Sequence, residues 1–321
     1  MGKQKNEIPI RVGISSCLTG LEVRYDGGHK RDRYLTDVLA DYFEFVTVCP
    51  EVEAGMGVPR ESVRLIGDPE APRMVGNKTG EDWTVRMRAY TAKRTGELAS
   101  GQLSGFIFKK DSPSCGMERV KIYSETGMAV RKARGLWGAA VLKMNPLLPV
   151  EEEGRLNDLP LRDNFIVRVF AYNRLLNLFN GAYARGEVVD FHARHKYLLL
   201  SHSPKHYKLL GQLVADIKKY SPTQLRNEYT TLFMEALQLR ATVKKNVNVL
   251  LHVLGYLKTY LDTREKTDIL KVIEDYHRKL VPLIVPITLL RHYINKFEIE
   301  YIQNQYYLQP HPKELMLRNH V

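Results

Sequence analysis

Cysteine is scarce in this chain of 321 residues: Cys17, Cys49 and Cys115 are all there are, and none follows residue 115. An odd count without an export signal argues against a disulfide framework and for reduced thiols in the cytoplasm. No two of them form CxxC, which removes the dithiol redox motif and the close-spaced pairs usual for zinc. Long apolar runs are also missing. The opening MGKQKNEIPIRVG is too polar for a signal peptide, and LVPLIVPITLL near residue 280 carries two prolines and is too short to cross a bilayer. No internal repeat or low-complexity tract is visible.

Acidic residues are outnumbered: 48 Lys and Arg face 36 Asp and Glu, a net charge of +12. Both halves share the excess. Such a balance suits a polyanionic partner, because basic side chains gain affinity by releasing counterions from phosphates. Hydrophobic residues at 44% and charged residues at 26% describe an ordinary globular chain, and its length suggests two domains.

The first 148 residues alternate β-branched or aromatic runs with helical segments. IRVGISS, EFVTV and GFIFK read as strands, with a helical stretch over Tyr34–Tyr42. This alternation predicts an α/β N-terminal domain with a mainly parallel sheet. VRLIG and RMVG, split by DPEAP, read as an inserted hairpin, and GEDWTVRMRAYTAKRTGELAS as one basic helix of about five turns. NPLLPVEEEGRLNDLP reads as a linker. Residues 160–321 then keep helical apolar spacing throughout, which predicts an all-α C-terminal helical domain of six to eight helices, with SPTQ and DTREK as helix starts.

Each cysteine directly follows one of the three strand-like runs. Ligands gather at the carboxyl ends of parallel strands, so three thiols distant in sequence are able to meet at one sheet edge. An iron–sulfur cubane normally takes four thiolates, and three would leave one iron open. Three unrelated buried cysteines and a Cys₃ zinc site remain alternatives on pattern alone. The surrounding loops are rich in glycine, which lets backbone approach a bulky ligand. Glu51 stands two residues after Cys49, and Ser112 and Ser114 precede Cys115.

SSCLTGLEVRYDGGHKR, VCPEVEAGMGVPRE, the KTGED turn and KKDSPSCG together resemble the thiouracil desulfidase family over about residues 8–145. The resemblance implies an oxygen-sensitive [4Fe-4S] cluster with three Cys ligands, Cys17, Cys49 and Cys115, and one open iron that takes the sulfur of a thiocarbonyl. It puts the family's acid/base glutamate on Glu51 and its catalytic serine on Ser112. The implied chemistry is hydrolysis at carbon without net electron transfer, the iron serving as a Lewis acid. DFHARHKYLLLSHSPKHYKLLG (190–211) resembles a second, helical domain of unknown function over roughly residues 160–310. The two-domain arrangement is similar to a bacterial desulfidase acting on 4-thiouridine in tRNA.

A tRNA substrate requires extrusion of the base and cations to grip the backbone. Near the thiols the candidates are Arg24, Lys30, Arg31, Arg33, Arg60, Lys109 and Lys110, and in the helical half His192, His195 and Lys196. His192 and His195 share a helix face, where RNA contact or a structural role is expected ahead of a metal. No membrane association and no obligatory protein partner is expected. Two other functions are open: salvage of free thiouracil or thiouridine nucleotides, and an RNA-binding iron–sulfur sensor that never turns over. The acid/base pair Glu51 and Ser112 argues against the sensor.

Overall fold

The structure, a computed structural model, describes residues 8–124 and 127–320. Residues 1–7, part of the segment read for an export signal, lie outside the described residues. Among the described residues no helix is long and apolar enough to cross a membrane. The chain divides after Asp158 into two compact units.

The first unit runs β1 (Arg11–Ser15), α1 (Arg33–Asp37), β2 (Glu44–Val48), α2 (Pro50–Glu53), β3 (Val63–Ile66), β4 (Arg73–Gly76), α3 (Thr84–Ser100), β5 (Gly105–Phe108), β6 (Val120–Tyr123), β7 (Ala129–Ala133), α4 (Leu136–Met144) and β8 (Val150–Glu152). Strands β2, β1, β5 and β8 form, in that order, one wholly parallel sheet. All four residues of β5, GFIF, are buried, as expected of an inner strand covered on both faces. Gly13 on β1 is required there: a Cβ at that position would stand 2.2 Å from the Phe106 ring. Phe106 stacks on Phe108 at 4.4 Å and meets Trp137 of α4 edge-on at 6.0 Å.

A second sheet has the order β4-β3-β6-β7. The DPEAP hairpin pairs β3 with β4, as the sequence predicts, β6 runs parallel to β3, and β7 turns back against β6. Leu65, Met74, Met87, Val120 and Ile122 fill the core beneath it. Strand β8 differs from expectation, because it lies inside the segment read as linker. Three consecutive acids carry no strand signal, yet Glu151, Glu152 and Glu153 are all buried here. Each is compensated: Glu151 by Arg155, Glu152 by the Met117 amide, and Glu153 by Lys109 and the Lys110 amide. Paired in this way, buried carboxylates avoid the full desolvation penalty.

The second unit contains, among the described residues, eight α-helices: α5 (Leu159–Leu178), α6 (Arg185–His202), α7 (Pro204–Ala215), α8 (Pro222–Gln238), α9 (Val243–Tyr256), α10 (Thr263–His277), α11 (Ile284–Lys296) and α12 (Glu300–Gln303). The helix starts read from SPTQ and DTREK carry capping boxes. Ser221 Oγ accepts from the Gln224 amide, and Asp262 accepts from the Glu265 amide at 2.7 Å while Glu265 accepts from the Asp262 amide. Leu198, Tyr229, Phe233, Leu250, Ile269 and Leu290 form the apolar interior.

Candidate active site

Because β2, β1 and β5 are adjacent and parallel, their carboxyl ends lie side by side, and the loops leaving them carry Cys49, Cys17 and Cys115. The three thiols line one cavity of about 360 Å³, together with Glu51 and Ser112. They are free of disulfides. Among the described residues no three His, Cys, Asp or Glu side chains are placed to share a single metal ion.

Each thiol is fixed by hydrogen bonds of its own loop. Cys17 sits on a single 3₁₀ turn, and its carbonyl accepts from the Lys30 amide at 2.8 Å, which closes the loop over residues 17–30. Cys49 precedes Pro50 at the first turn of α2, its amide donating to Glu53 Oε1 at 2.9 Å and its thiol facing the Val23 carbonyl at 3.8 Å. Cys115 is held from two sides. Ser112 Oγ accepts from the amides of Ser114 and Cys115 at 3.2 and 3.0 Å. The carbonyls of Pro113, Ser114 and Gly116 then take the otherwise orphaned N–H groups that open α4, from Gly135 to Gly138. Backbone comes so close that a Cβ on Gly138 would stand 2.6 Å from the Gly116 carbonyl oxygen.

Burial raises all three thiols. Cys17 is pushed up to about 11, first by desolvation and then by Cys49. Cys49 rises through burial and the charge of Glu51. Cys115 is carried well above the ordinary thiol range by burial, against which the Ser15 hydroxyl works. A thiolate trio here therefore needs a positive centre to hold it ionised.

Glu51 is held from both ends. Its Oε2 accepts from Arg60 Nη2 at 2.6 Å and Nε at 3.0 Å, and its Oε1 accepts from Ser114 Oγ at 2.6 Å. The pair is largely buried, with side-chain exposures of 7% for Arg60 and 15% for Glu51. Arg60 further donates to the carbonyls of Gly57 and Val23. Sequence reasoning grouped Arg60 with phosphate-gripping cations, whereas its guanidinium is committed inside the site. The partner of Glu51 is Ser114, buried behind the cavity, while Ser112 faces it. Neither the Arg60 pairing nor the α4 clamp was read from sequence, since a loop return and a glycine helix start give no pattern.

The remaining cations divide. Arg24, Lys30, Lys109 and Lys110 line the same cavity, with Lys109 paired to Glu153. Arg31 is bound to Asp37 at 2.6 Å and does not reach the lining, and Arg33 is exposed on α1. In the helical unit His195 is fully buried, stacked on Phe191 at 3.9 Å and accepting from Arg174 Nε at 3.2 Å. A buried ring with both nitrogens occupied does not contact RNA, so that expectation for His195 is corrected. His192 is hydrogen-bonded to the Tyr229 hydroxyl, and Lys196 donates to the Tyr301 hydroxyl at 3.0 Å.

Fold and site together define a class: a parallel α/β sheet whose carboxyl edge gathers three cysteines, a glutamate and a serine into one cavity. Residues 12–153 match the family described as 2-thiouracil desulfurase, and residues 196–312 match a protein family of unknown function, DUF1722. The chain is 30% identical over 158 residues to the uncharacterized protein YbgA of Escherichia coli K12, covering 49% of this chain and 94% of that one. It is 32% identical over 151 residues to the uncharacterized protein YbbK of Bacillus subtilis 168, covering 46% of this chain and 97% of that one. Among solved structures, the [4Fe-4S]-dependent thiouracil desulfidase TudS is similar at 26% identity and a TM-score of 0.39, covering 47% of this chain and 96% of that one. The chain belongs to the 2-thiouracil desulfurase family through its first unit and carries a DUF1722 domain in its second. The family's activity is removal of sulfur from thiouracil.

Proposed function

We propose that this protein removes sulfur from 4-thiouridine in tRNA, giving uridine and hydrosulfide, with a [4Fe-4S] cluster held by Cys17, Cys49 and Cys115. The observation that carries the reading is the meeting of all three thiols with Glu51 and Ser112 in one cavity. The donor set fits the group: three soft sulfur ligands, free of disulfides, lining one cavity and in need of positive charge to ionise. When bound, the cluster supplies an open iron that polarises a thiocarbonyl sulfur as a soft Lewis acid.

The protein's own residues handle water and protons. Glu51, its carboxylate oriented by Arg60 and Ser114, takes a proton from the water whose oxygen bonds to C4 of the base. Ser112 Oγ already accepts from two amides, so its own hydroxyl proton is the group left to donate toward the heterocycle. The C4–S bond then breaks, sulfur leaves as hydrosulfide, and C4 keeps the water oxygen as a carbonyl. Electrons and atoms balance with water alone.

Net charge of +12, shared by both halves of the chain, supports tRNA as the form of the substrate. Salvage of free thiouracil is the second reading, favoured by the family's own description. The deciding experiment incubates anaerobically purified protein with bulk bacterial tRNA and follows the 4-thiouridine-to-uridine ratio by mass spectrometry after digestion. Loss of 4-thiouridine that disappears in Cys115→Ala is the expected result. Untouched tRNA beside turnover of free thiouracil overturns the tRNA assignment, and an intact cluster with neither substrate consumed leaves the sensor.

A further inference from the structure

The helical unit holds a cavity that desulfurisation does not use. Its volume is about 370 Å³, in the range of small-molecule sites. Arg240, Lys279 and Arg318 stand in its wall. Among the described residues none of the three meets a carboxylate at ion-pair distance. Arg318 is only 7% exposed; its Nη1 donates to the Tyr307 carbonyl at 2.6 Å, and its Nε is buried without a partner.

Two further lining residues carry acceptor atoms, Asp163 and His202. Asp163 Oδ1 is buried with no hydrogen bond, and His311 Nε2 stands 3.5 Å from it. His202 Nδ1 donates to the Leu239 carbonyl at 2.7 Å, which leaves Nε2 as a lone-pair acceptor on a ring that burial keeps neutral. Buried groups left unpaired on this scale ask for a partner.

We infer that this cavity is a second binding site, for a phosphomonoester of nucleoside monophosphate size that also carries hydroxyl or N–H donors. Three cations against one carboxylate leave the lining at +2, which matches the charge of roughly −1.5 to −2 on a phosphomonoester at neutral pH and exceeds that of a carboxylic acid. Arg318 offers the planar donor geometry that phosphate takes up. Asp163 and His202 receive the ligand's donors, and Val167, Val281 and Leu283 provide apolar wall for its body. The phosphate has two possible sources, a free mononucleotide or the 5′-terminal phosphate of an RNA.

The test titrates the full-length, cluster-loaded protein calorimetrically with uridine monophosphate. Saturable binding is expected, weakened about tenfold by Lys279→Gln and again by Arg240→Gln, with uridine failing to compete. Both side chains are exposed, and far-ultraviolet dichroism checks that the variants fold. No saturation at millimolar nucleotide, or an affinity unchanged in the double variant, overturns the site. Competition by 5′-phosphorylated tRNA that is lost on dephosphorylation assigns the RNA terminus as the source, and competition by neither form assigns the free nucleotide. Equal competition by both forms, dependent on Lys279, points to backbone diesters and overturns the monoester.

Discussion

Replacing Arg60 by methionine tests whether the glutamate of the site is held by a buried charge pair. The wild-type guanidinium makes two bonds to Glu51 Oε2 and one each to the carbonyls of Val23 and Gly57. Methionine keeps apolar bulk and removes all four. Glu51 then remains with only the Ser114 hydroxyl, at a side-chain exposure of 15%. Breaking a buried pair from one side costs about 3–5 kcal/mol, because the other charge is stranded. The cavity mouth gives Glu51 some water, so the low end, about 3 kcal/mol, applies. Adding Glu51→Gln removes the stranded charge and should return part of that loss, a coupling of about 1–2 kcal/mol. Both tryptophans, Trp83 and Trp137, lie in the first unit, so urea unfolding followed by tryptophan fluorescence reports that unit alone. An Arg60→Met variant within about 0.5 kcal/mol of wild type, or strictly additive losses in the double variant, would refute a buried, mutually dependent pair.

Three further outcomes follow from the geometry. Glu51→Gln should lower single-turnover loss of 4-thiouridine about 10²–10⁴-fold while the visible absorbance of the cluster stays unchanged; a rate near wild type sinks the base assignment. Gly138→Ala forces a methyl against the Gly116 and Cys115 carbonyls at 2.6 and 2.8 Å, so iron per chain after anaerobic reconstitution should fall, and full loading would show that the α4 clamp is dispensable. Burial lowers His192 and His202 from 6.5 to about 4 and holds His195 well below its ordinary value. Their unfolded forms bind protons below pH 6.5 while the folded forms do not, so stability is present above 6.5 and is lost as pH falls toward 4, by up to about 1.4 kcal/mol per pH unit for each ring. Thermal midpoints read by helical dichroism should drop across that window, less steeply in His202→Gln, and a flat profile contradicts buried neutral rings.

What the sequence made legible, and what it hid, follows from the range of the interactions involved. Strands β1, β2 and β5 are compact β-branched or aromatic runs, and the cysteine after each is a local feature. Adjacency of those strands is the one non-local step, and the parallel-sheet rule supplied it. Capping boxes at Ser221 and Asp262 were equally local. Strand β8 was hidden because its acids, and Glu153 just after it, are compensated by Arg155, Lys109 and two amides, partners that only the fold brings near. The serines of the Cys115 loop show the same limit within three residues. Ser112 and Ser114 read alike in sequence, yet the turn sends one hydroxyl toward the cavity and the other to Glu51. Histidines 192 and 195 do share a helix face, but Phe191, Phe233 and Tyr306 enclose the second, so spacing alone could not separate a half-buried ring from a core one. The same reasoning bears on Arg60: nine residues from Glu51, with a glycine-containing loop between, it reads as one more cation in a basic chain. Only its low exposure and the four hydrogen bonds of its guanidinium place it inside the site. A basic composition therefore overstates the exposed positive surface, to which Lys30 and Arg33 belong and Arg60 does not.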